Sequence, residues 1–200
     1  MDVPDDLPVA GTVVLVRPAA RRFEVLLMRR PERGSFAGAW VFPGGKVEEA
    51  DRVGGDEMDD ARRAGIRETF EEVGLVVADL AVLSRWTPPV EAPRRIRTWF
   101  FVAPATDAEV AAAADEVTEH SWISPAVALE RHASGEWRMF PPTWMTLHGL
   151  LSFDDAESVL AAAGEARAFA TTMDGTAFRW DGLRLETREL PWTLAVEQTA

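Results

Sequence analysis

The sequence predicts an α/β or α+β layer fold, in which helices pack against a β-sheet. Runs rich in β-branched and aromatic residues are interspersed with helical segments along the chain. No internal repeat or low-complexity tract interrupts this order. The chain has 200 residues, of which 47% are hydrophobic, so it is long enough to form one domain with a sizeable core.

The first part of the chain is predicted to contain a strand pair and a tight turn. Residues 11–18 (GTVVLVRP) and 22–30 (RFEVLLMRR) are rich in apolar and β-branched side chains, with a short break between them. The apolar run 39–47 (AWVFPGGKV) indicates a strand that leads into a Pro-Gly-Gly turn. Residues 48–60 are acidic and contain a glycine pair, so we expect a mobile loop on the solvent side.

The remaining elements alternate between helix and strand. A helix is predicted from about Asp56–Asp60 to Gly74, since glycine is favoured just after the last helical turn. The alternating residues around Asp181-Gly182 predict a β-hairpin at 176–190. Further strands are predicted at 75–88, 94–104 and 120–124, and further helices at 124–135, 141–152 and 154–170.

Charge and composition exclude several classes of protein and partner. The net charge of −12 disfavours polymeric nucleic acid as a partner, because phosphate backbones are bound by surfaces rich in Lys and Arg. No apolar run reaches the roughly 18 residues of a membrane span, and the N-terminal residues lack the pattern of a signal peptide. The absence of cysteine excludes disulfides and thiolate metal sites. We therefore expect a cytoplasmic protein that does not bind membranes.

Three glutamates lie close together in the predicted helix that ends at Gly74. Glu68, Glu71 and Glu72 are spaced i, i+3 and i+4, where like charges repel by about 0.2–0.5 kcal/mol per pair. One interpretation is a solvated acidic face. The other is a metal site, because carboxylate oxygens bind Mg²⁺ and Mn²⁺ together with substrate phosphates. A divalent cation would turn the repulsion into attraction.

The apolar residues of this helix predict which way the glutamates point. Ile66, Phe70 and Val73 recur at i, i+4 and i+7, with Thr69 in the same stripe. We expect this stripe to face the core. The carboxylates would then point away from the core as one cluster.

The stretch RETFEEVGL (67–75), preceded by FPGG (42–45), resembles the Nudix box. The resemblance implies a Nudix hydrolase, which has an α/β/α sandwich with a mixed β-sheet. Such an enzyme cleaves a nucleoside diphosphate linked to another moiety and uses Mg²⁺ or Mn²⁺. By match to the box, the metal ligands are Glu68, Glu71 and Glu72, a catalytic role also falls to Glu71, Arg67 orients a glutamate, and Gly44 and Gly45 supply backbone groups near metal and substrate.

The spacing within the box departs from the Nudix pattern at one place. Counted from Gly45, the first acidic position falls on Asp51, which lies sixteen positions before Arg67 where the pattern expects eight. Eight residues are therefore inserted. The first acidic residue of the box stays open among four candidates, Glu49, Asp51, Asp56 and Asp59.

An insertion at this place resembles the branch of the family that contains the peroxisomal coenzyme A diphosphatase-type proteins. The resemblance implies a Nudix domain at 8–152 and a C-terminal helix and hairpin at 153–200 that pack on it. It favours coenzyme A or an acyl-coenzyme A as substrate, although Arg33 lies one place away from the arginine of that signature. ADP-ribose or a dinucleotide is the alternative substrate. A nucleotide-sensing Nudix module without hydrolytic activity is the alternative of another class.

Several residues outside the box have more than one interpretation. Arg94 and Arg95 precede a predicted strand, where they either begin that strand in solvent or clamp substrate phosphates. Glu116, or less favourably Glu119, is the loop glutamate that in Nudix proteins binds metal or acts as general base. The strand pair or the C-terminal hairpin is also compatible with a homodimer. We expect core roles for Trp86 and Trp99, and structural roles for His120, His132 and His148.

Overall fold

The computed structural model describes residues 7–34 and 36–197. Within this part of the chain, eight strands form one sheet: β1 (Val9–Ala19), β2 (Arg22–Arg29), β3 (Trp40–Val41), β4 (Gly44–Lys46), β5 (Ala81–Thr87), β6 (Arg97–Pro104), β7 (Glu119–Ile123) and β8 (Arg167–Ala170). A second sheet contains β9 (Thr172–Asp174), β10 (Ala177–Trp180), β11 (Leu183–Glu186) and β12 (Thr193–Val196). The α-helices are α1 (Glu57–Val73), α2 (Pro125–Ala133), α3 (Pro141–Leu150) and α4 (Ala156–Ala162).

The strands of the main sheet run in both directions. β1 is parallel to β6 and antiparallel to β2, whereas β5 is antiparallel to β6 and parallel to β8. The strand order is β3-β2-β1-β6-β5-β8, with β4 beside β1 and β7 beside β2. A mixed sheet with helices packed on it confirms the predicted α/β class.

A turn crosses the gap where β1 and β2 separate. The two strands pair through residues 16–19 and 22–25, and beyond this stretch β3 pairs with β2 while β4 pairs with β1. Pro43, between β3 and β4, accepts a hydrogen bond from the N–H of Val13 at 2.8 Å. The predicted Pro-Gly-Gly turn therefore lies against the middle of β1.

Alternate side chains of β1 face two different cores. Val13 and Leu15 belong to the hydrophobic cluster that includes α1, whereas Val14 and Val16 belong to the cluster that includes α2, α3 and α4. Successive strand residues point to opposite faces of a sheet. The helix α1 therefore covers one face and the other helices cover the opposite face, which gives three layers.

Small residues bring α1 very close to β1. A Cβ atom at Gly11 would lie 1.8 Å from the carbonyl oxygen of Ala61, so only glycine fits at this crossing. The predicted stripe of Ile66, Phe70 and Val73 is wrong in part, because Phe70 is 57% exposed. The reason is that small side chains form the seam with the sheet, and this seam determines how α1 is rotated about its axis.

The segment between β4 and α1 contains an ordered, packed element. Glu49–Asp51 form a short 3₁₀ helix, in which Glu48 and Asp51 cap each other. Asp51 is only 5% exposed. The expectation of a mobile loop over 48–60 is wrong for these residues, because hydrogen bonds from Arg67 hold Asp51 against α1.

The C-terminal part differs from the predicted long helix. The helix predicted at 154–170 ends at Ala162, and Arg167–Ala170 instead pair with β5 as an edge strand. Gly164, with a φ of 132°, donates its N–H to the carbonyl of Val82, which turns the chain back toward the sheet. The strand predicted at 75–88 likewise begins only at Ala81.

The C-terminal residues also contribute to the core. Phe169, Trp180 and Leu185 belong to the same hydrophobic cluster as Val14 of β1. Trp86 stacks on Phe169 at a centroid distance of 3.9 Å, which agrees with a core role for this tryptophan. In the described part of the chain, no helix is both long enough and apolar enough to cross a bilayer.

Candidate active site

The helix α1 carries Arg67 and all three predicted metal ligands in its last two turns. Asp56 begins the helix by accepting a hydrogen bond from the N–H of Asp59 at 2.9 Å. Gly74 ends it with a φ of 71°, a left-handed conformation that glycine adopts without strain. The predicted helix is thus present, with Glu68, Glu71 and Glu72 near its C-terminal end.

Glu72 is fully buried, with 0% exposure, so the glutamates do not all point away from the core as expected. Its carboxylate accepts a hydrogen bond from the N–H of Gly44 at 2.8 Å, and a second from the guanidinium of Arg30. Burial raises the pKa of Glu72 to about 8, although Gly44 and Arg30 oppose this shift. A buried carboxylate in this state favours a proton or a cation beside it.

Glu68 lies one turn before Glu72 and faces the Gly44-Gly45 turn. A Cβ atom at Gly45 would lie 2.2 Å from the carboxyl carbon of Glu68, so glycine is required to leave space for this carboxylate. Burial raises the pKa of Glu68, and the hydrogen bond from Arg67 opposes the shift. The predicted glycine pair thus contacts both helix carboxylates, Gly44 through its N–H and Gly45 through its lack of a side chain.

Glu116 completes a group of three carboxylates. One oxygen of each of Glu68, Glu72 and Glu116 can be chosen so that all three lie within 4.8 Å of one another. The loop that carries Glu116 is docked on the C-terminal end of α1, because Ala111 and Ala113 donate N–H groups to the last carbonyls of that helix, each at 2.9 Å. Side chains 44 positions apart in sequence are therefore brought together.

Two arginines support this arrangement: Arg30, which the sequence did not single out, and Arg33, which it indicated only through the partial coenzyme A signature. Arg30 contacts the carboxylate of Glu72 directly. Arg33 donates a hydrogen bond to the carbonyl of Asp115 at 2.9 Å and so holds the residue before Glu116. Their sequence signal is weak, because Arg30 only extends a strand pattern and Arg33 lies in a polar loop.

Arg67 links three acidic residues on the outer side of the group. It donates to both carboxylate oxygens of Asp51, at 3.2 and 3.0 Å, and to Glu68 and Glu71 at 3.0 and 2.8 Å. Burial acts to raise the pKa of Asp51, but the hydrogen bonds from Arg67 and the N–H of Glu48 hold it below its ordinary value. Of the four candidates for the first acidic box position, Asp51 is the one that contacts Arg67 among the residues described.

The other predicted site residues lie differently. The side chain of Glu71 is 50% exposed and bonds to Arg67, outside the group of three carboxylates. Glu119 pairs with Arg29 at 2.6 Å. Arg95 donates to the carbonyl of Pro88 at 3.5 Å, in the connection between β5 and β6 that also carries Arg94. The phosphate clamp suggested for these two arginines stays a prediction.

The residues present fit a divalent cation. Three carboxylates provide the hard oxygen donors that Mg²⁺ and Mn²⁺ prefer. Gly45 keeps free the space that a side chain would fill. Burial raises the pKa of Glu68 and that of Glu72, although Arg67 and Arg30 oppose these shifts, so a cation among these carboxylates would be electrostatically favourable.

Comparison with known proteins agrees with this geometry. A family model described as NUDIX domain matches residues 7–142. Putative nudix hydrolase 7 of Caenorhabditis elegans is 26% identical over 172 residues, covering 66% of this chain and 57% of that protein. The chain thus spans a little over half the length of this curated relative.

Solved structures share the fold. The NUDIX hydrolase from Alicyclobacillus acidocaldarius superimposes with a TM-score of 0.72 at 22% identity, covering 81% of this chain and 99% of that one. The NUDIX domain of Shewanella oneidensis NrtR, solved with ADP ribose, gives 0.59 at 15% identity, with coverages of 76% and 92%. A C. elegans Ap4A hydrolase gives 0.53 at 21% identity, with coverages of 73% and 96%. At these identities the likeness concerns the fold alone.

Proposed function

The chain belongs to the Nudix family, and we propose that it is a metal-dependent hydrolase of nucleoside diphosphates linked to another moiety. The observation that carries this proposal is the convergence of Glu68, Glu72 and Glu116 beside the Gly44-Gly45 turn. A module that only senses a nucleotide does not need to activate water, which carboxylates grouped around a cation can do. The convergence therefore favours hydrolysis over sensing.

Glu68 and Glu72 are the principal residues that would hold Mg²⁺ or Mn²⁺. Magnesium in phosphate-transferring sites is commonly bound through one or two carboxylates together with substrate phosphates, so these two suffice. When bound, the cation supplies Lewis-acid chemistry: it neutralises charge on the diphosphate and lowers the pKa of water. Glu71, which accepts a hydrogen bond from Arg67, would contribute less than Glu68 and Glu72 to binding the cation.

Glu116 is then available to accept a proton from the attacking water. It comes from a loop, and its carboxylate lies within reach of the same small volume as Glu68 and Glu72. Arg67 orients Glu68 and Glu71, while Arg30 and Gly44 orient Glu72. A Glu116→Gln variant distinguishes a role as proton acceptor from a role as metal ligand. If Glu116 accepts the proton, the variant has a lower kcat at unchanged metal affinity. If Glu116 is a ligand, the variant binds the metal more weakly.

Within the class of linked nucleoside diphosphates, two substrates are candidates. Coenzyme A or an acyl-coenzyme A is favoured by the inserted segment and by the partial signature that ends at Gly38 and FPGG. ADP-ribose or a dinucleotide is the second candidate, because proteins of the same fold were solved with ADP ribose or named as an Ap4A hydrolase. Both candidates contain a diphosphate joined to adenosine, and they differ in the 3′-phosphate that coenzyme A carries.

A panel of diphosphate substrates tests the proposed function. Coenzyme A, ADP-ribose and a dinucleotide are each incubated with Mg²⁺ or Mn²⁺, and the phosphate products are identified by mass. We expect metal-dependent cleavage within the diphosphate of at least one of them. The Glu68→Gln/Glu72→Gln double variant is the matched control and should be inactive. Absence of cleavage with every substrate and both metals would refute a hydrolytic function for this class.

A further inference from the structure

Glu116 lies in a tight turn of residues 113–117, here called the Glu116 turn. The N–H groups of Glu116 and Val117 both donate to the carbonyl of Ala113, at 3.0 and 2.8 Å. Val117 is buried, with 4% exposure, and so anchors the end of the turn in the core. The position of the Glu116 carboxylate therefore depends on how the backbone of this turn is held.

The two ends of the Glu116 turn are attached to different elements. On one side, the N–H of Ala113 donates to the backbone carbonyl of Glu72 in α1 at 2.9 Å. On the other side, Thr118 follows the turn and donates its N–H to the carbonyl of Arg29 in β2 at 3.0 Å. These backbone bonds fix the ends of the turn and leave its middle to other contacts.

Arg33 provides a contact to the middle of the Glu116 turn. Its Nη2 atom donates to the carbonyl of Asp115 at 2.9 Å. Arg33 is exposed and lies in the segment that follows β2. Exposed side chains away from the core and from helix caps contribute little to global stability. The contact therefore concerns the position of Asp115 and of its neighbour Glu116 rather than the stability of the fold.

The segment 29–33 contacts both sides of the carboxylate group. Arg30 donates to the carboxylate of Glu72, and Arg33 donates to the turn that carries Glu116. One oxygen of Glu72 and one of Glu116 lie within 4.8 Å of each other. Like charges at this distance repel, so contacts on both sides are needed to keep the two carboxylates together before a cation binds.

We propose that Arg33 is a positioning residue for Glu116. It holds the Glu116 turn so that the carboxylate faces Glu68 and Glu72 and can accept the proton of the attacking water. The inference rests on the proposed function, which assigns that proton to Glu116. Because Arg33 acts through the backbone carbonyl of Asp115, it affects the rate of the reaction and not the binding of substrate or metal.

Steady-state kinetics of Arg33→Ala at saturating Mg²⁺, with a diphosphate that the wild type cleaves, test this assignment. We expect kcat to fall about tenfold with KM, the Kd of Mg²⁺ and Tm unchanged, because only the placement of the proton acceptor is altered. Arg33→Lys should keep kcat within about threefold of the wild type, since an ammonium can replace a single bond to a carbonyl. The matched control is Arg138→Ala, which removes an exposed arginine that donates to the carbonyl of Ala37 between β2 and β3. It should leave kcat unchanged.

A double-mutant cycle with Glu116→Gln separates positioning from direct contact with the substrate. If Arg33 acts through Glu116, adding Arg33→Ala to Glu116→Gln lowers kcat by less than about twofold further. Three results overturn the proposal: an unchanged kcat in Arg33→Ala, a raised KM in that variant, or a further loss of about tenfold in the double variant.

Amide hydrogen exchange of the metal-free protein tests the same contact without activity. The N–H groups of Glu116 and Val117 should exchange about fivefold faster in Arg33→Ala and at the wild-type rate in Arg138→Ala, because the turn opens more easily without the bond to Asp115. Equal exchange in the wild type and Arg33→Ala also overturns the proposal. Failure of the proposed function is a different result, namely a wild type that cleaves no diphosphate, and the exchange rates then still decide whether Arg33 holds the turn.

Discussion

The two halves of α1 carry carboxylates at similar density but use them differently. In the first half each carboxylate has its own donor within the fold: the N–H of Asp59 for Asp56, Arg97 and Trp99 for Glu57, Arg62 for Asp59, and Arg63 for Asp60. In the second half, Glu68 and Glu72 approach each other and Glu116. Burial raises the pKa of Glu68 and that of Glu72.

The difference separates structural from functional acidity within one helix. In the first half, the carboxylates cap the start of the helix and bond to β6, and these contacts stabilise the fold without a ligand. The second half leaves like charges close together in a partly buried place, which is unfavourable unless a proton or cation is added. Crowding and burial of carboxylates, rather than their number, therefore mark the site.

Removing a carboxylate from the second half should have the largest effect. We expect Glu68→Gln to lower turnover at saturating Mg²⁺ by about a hundredfold or more, because it removes charge that binds the cation. The fold should remain intact, since the amide has the same shape beside Gly45. Turnover and Tm are measured together. Turnover near that of the wild type would remove Glu68 from the site, and a collapsed Tm would indicate a structural role.

A divalent cation should stabilise the protein through the second half alone. At about a hundred times its Kd, Mg²⁺ is expected to add about 2.7 kcal/mol to the free energy of unfolding, because it binds the native state and not the unfolded chain. Thermal unfolding with and without Mg²⁺ measures the gain. It should shrink in Glu68→Gln and persist in Glu57→Gln, which alters only the first half. An equal gain in both variants would place the metal elsewhere.

The pH should sharpen the same contrast. The pKa of Glu72 is raised by burial from 4.5 to about 8. In the metal-free protein its contribution to stability is therefore full below about pH 4.5 and is lost as the pH rises through about 8. Since cations compete with protons for carboxylates, the gain from Mg²⁺ should be larger at about pH 9 than at about pH 6. Unfolding curves with and without Mg²⁺, recorded at both pH values, measure this gain. A stabilisation by Mg²⁺ that becomes smaller as the pH rises would contradict the prediction.

Glu71 should show a smaller effect than Glu68. We expect Glu71→Gln to lower turnover by about tenfold, or about 1.4 kcal/mol of activation free energy, because its carboxylate lies outside the group of three. The comparison is made with Glu68→Gln at the same Mg²⁺ concentration. A loss as large as that of Glu68→Gln would make Glu71 an equal ligand.

The first half should respond in stability and not in turnover. Glu57 accepts hydrogen bonds from Arg97 at 2.5 Å and from Trp99 at 2.8 Å. We expect Glu57→Gln to lower the free energy of unfolding by about 1 kcal/mol, because one charge-assisted bond is weakened and the amide still accepts the other. Urea unfolding measures this loss. A clear fall in turnover at unchanged stability would mean that the first half also belongs to the site.

Much of the site could be predicted from local sequence. The occurrence of Glu68, Glu71 and Glu72 within one turn of a helix, and the Pro-Gly-Gly turn, could be predicted from local sequence. The burial of Glu72 and the close approach of Glu68 to Gly45 could not. The exposed position of Phe70 could not be predicted, because rotation of α1 depends on the close crossing at Gly11. The choice of Asp51 among four acidic residues likewise required the position of the 3₁₀ helix against Arg67.

The amino-acid sequence alone was enough to predict the α/β class and the family, because the patterns that indicate them lie among neighbouring residues of one strand, turn or helix. Which carboxylates come together depends on the tertiary structure. Arg30 is 42 residues from Glu72, and Glu116 lies on a loop beyond two further strands. Their approach depends on sheet register and on the docking of a loop on α1, which arise from packing over the whole chain. Helix periodicity reaches only a few residues and carries no information about such contacts.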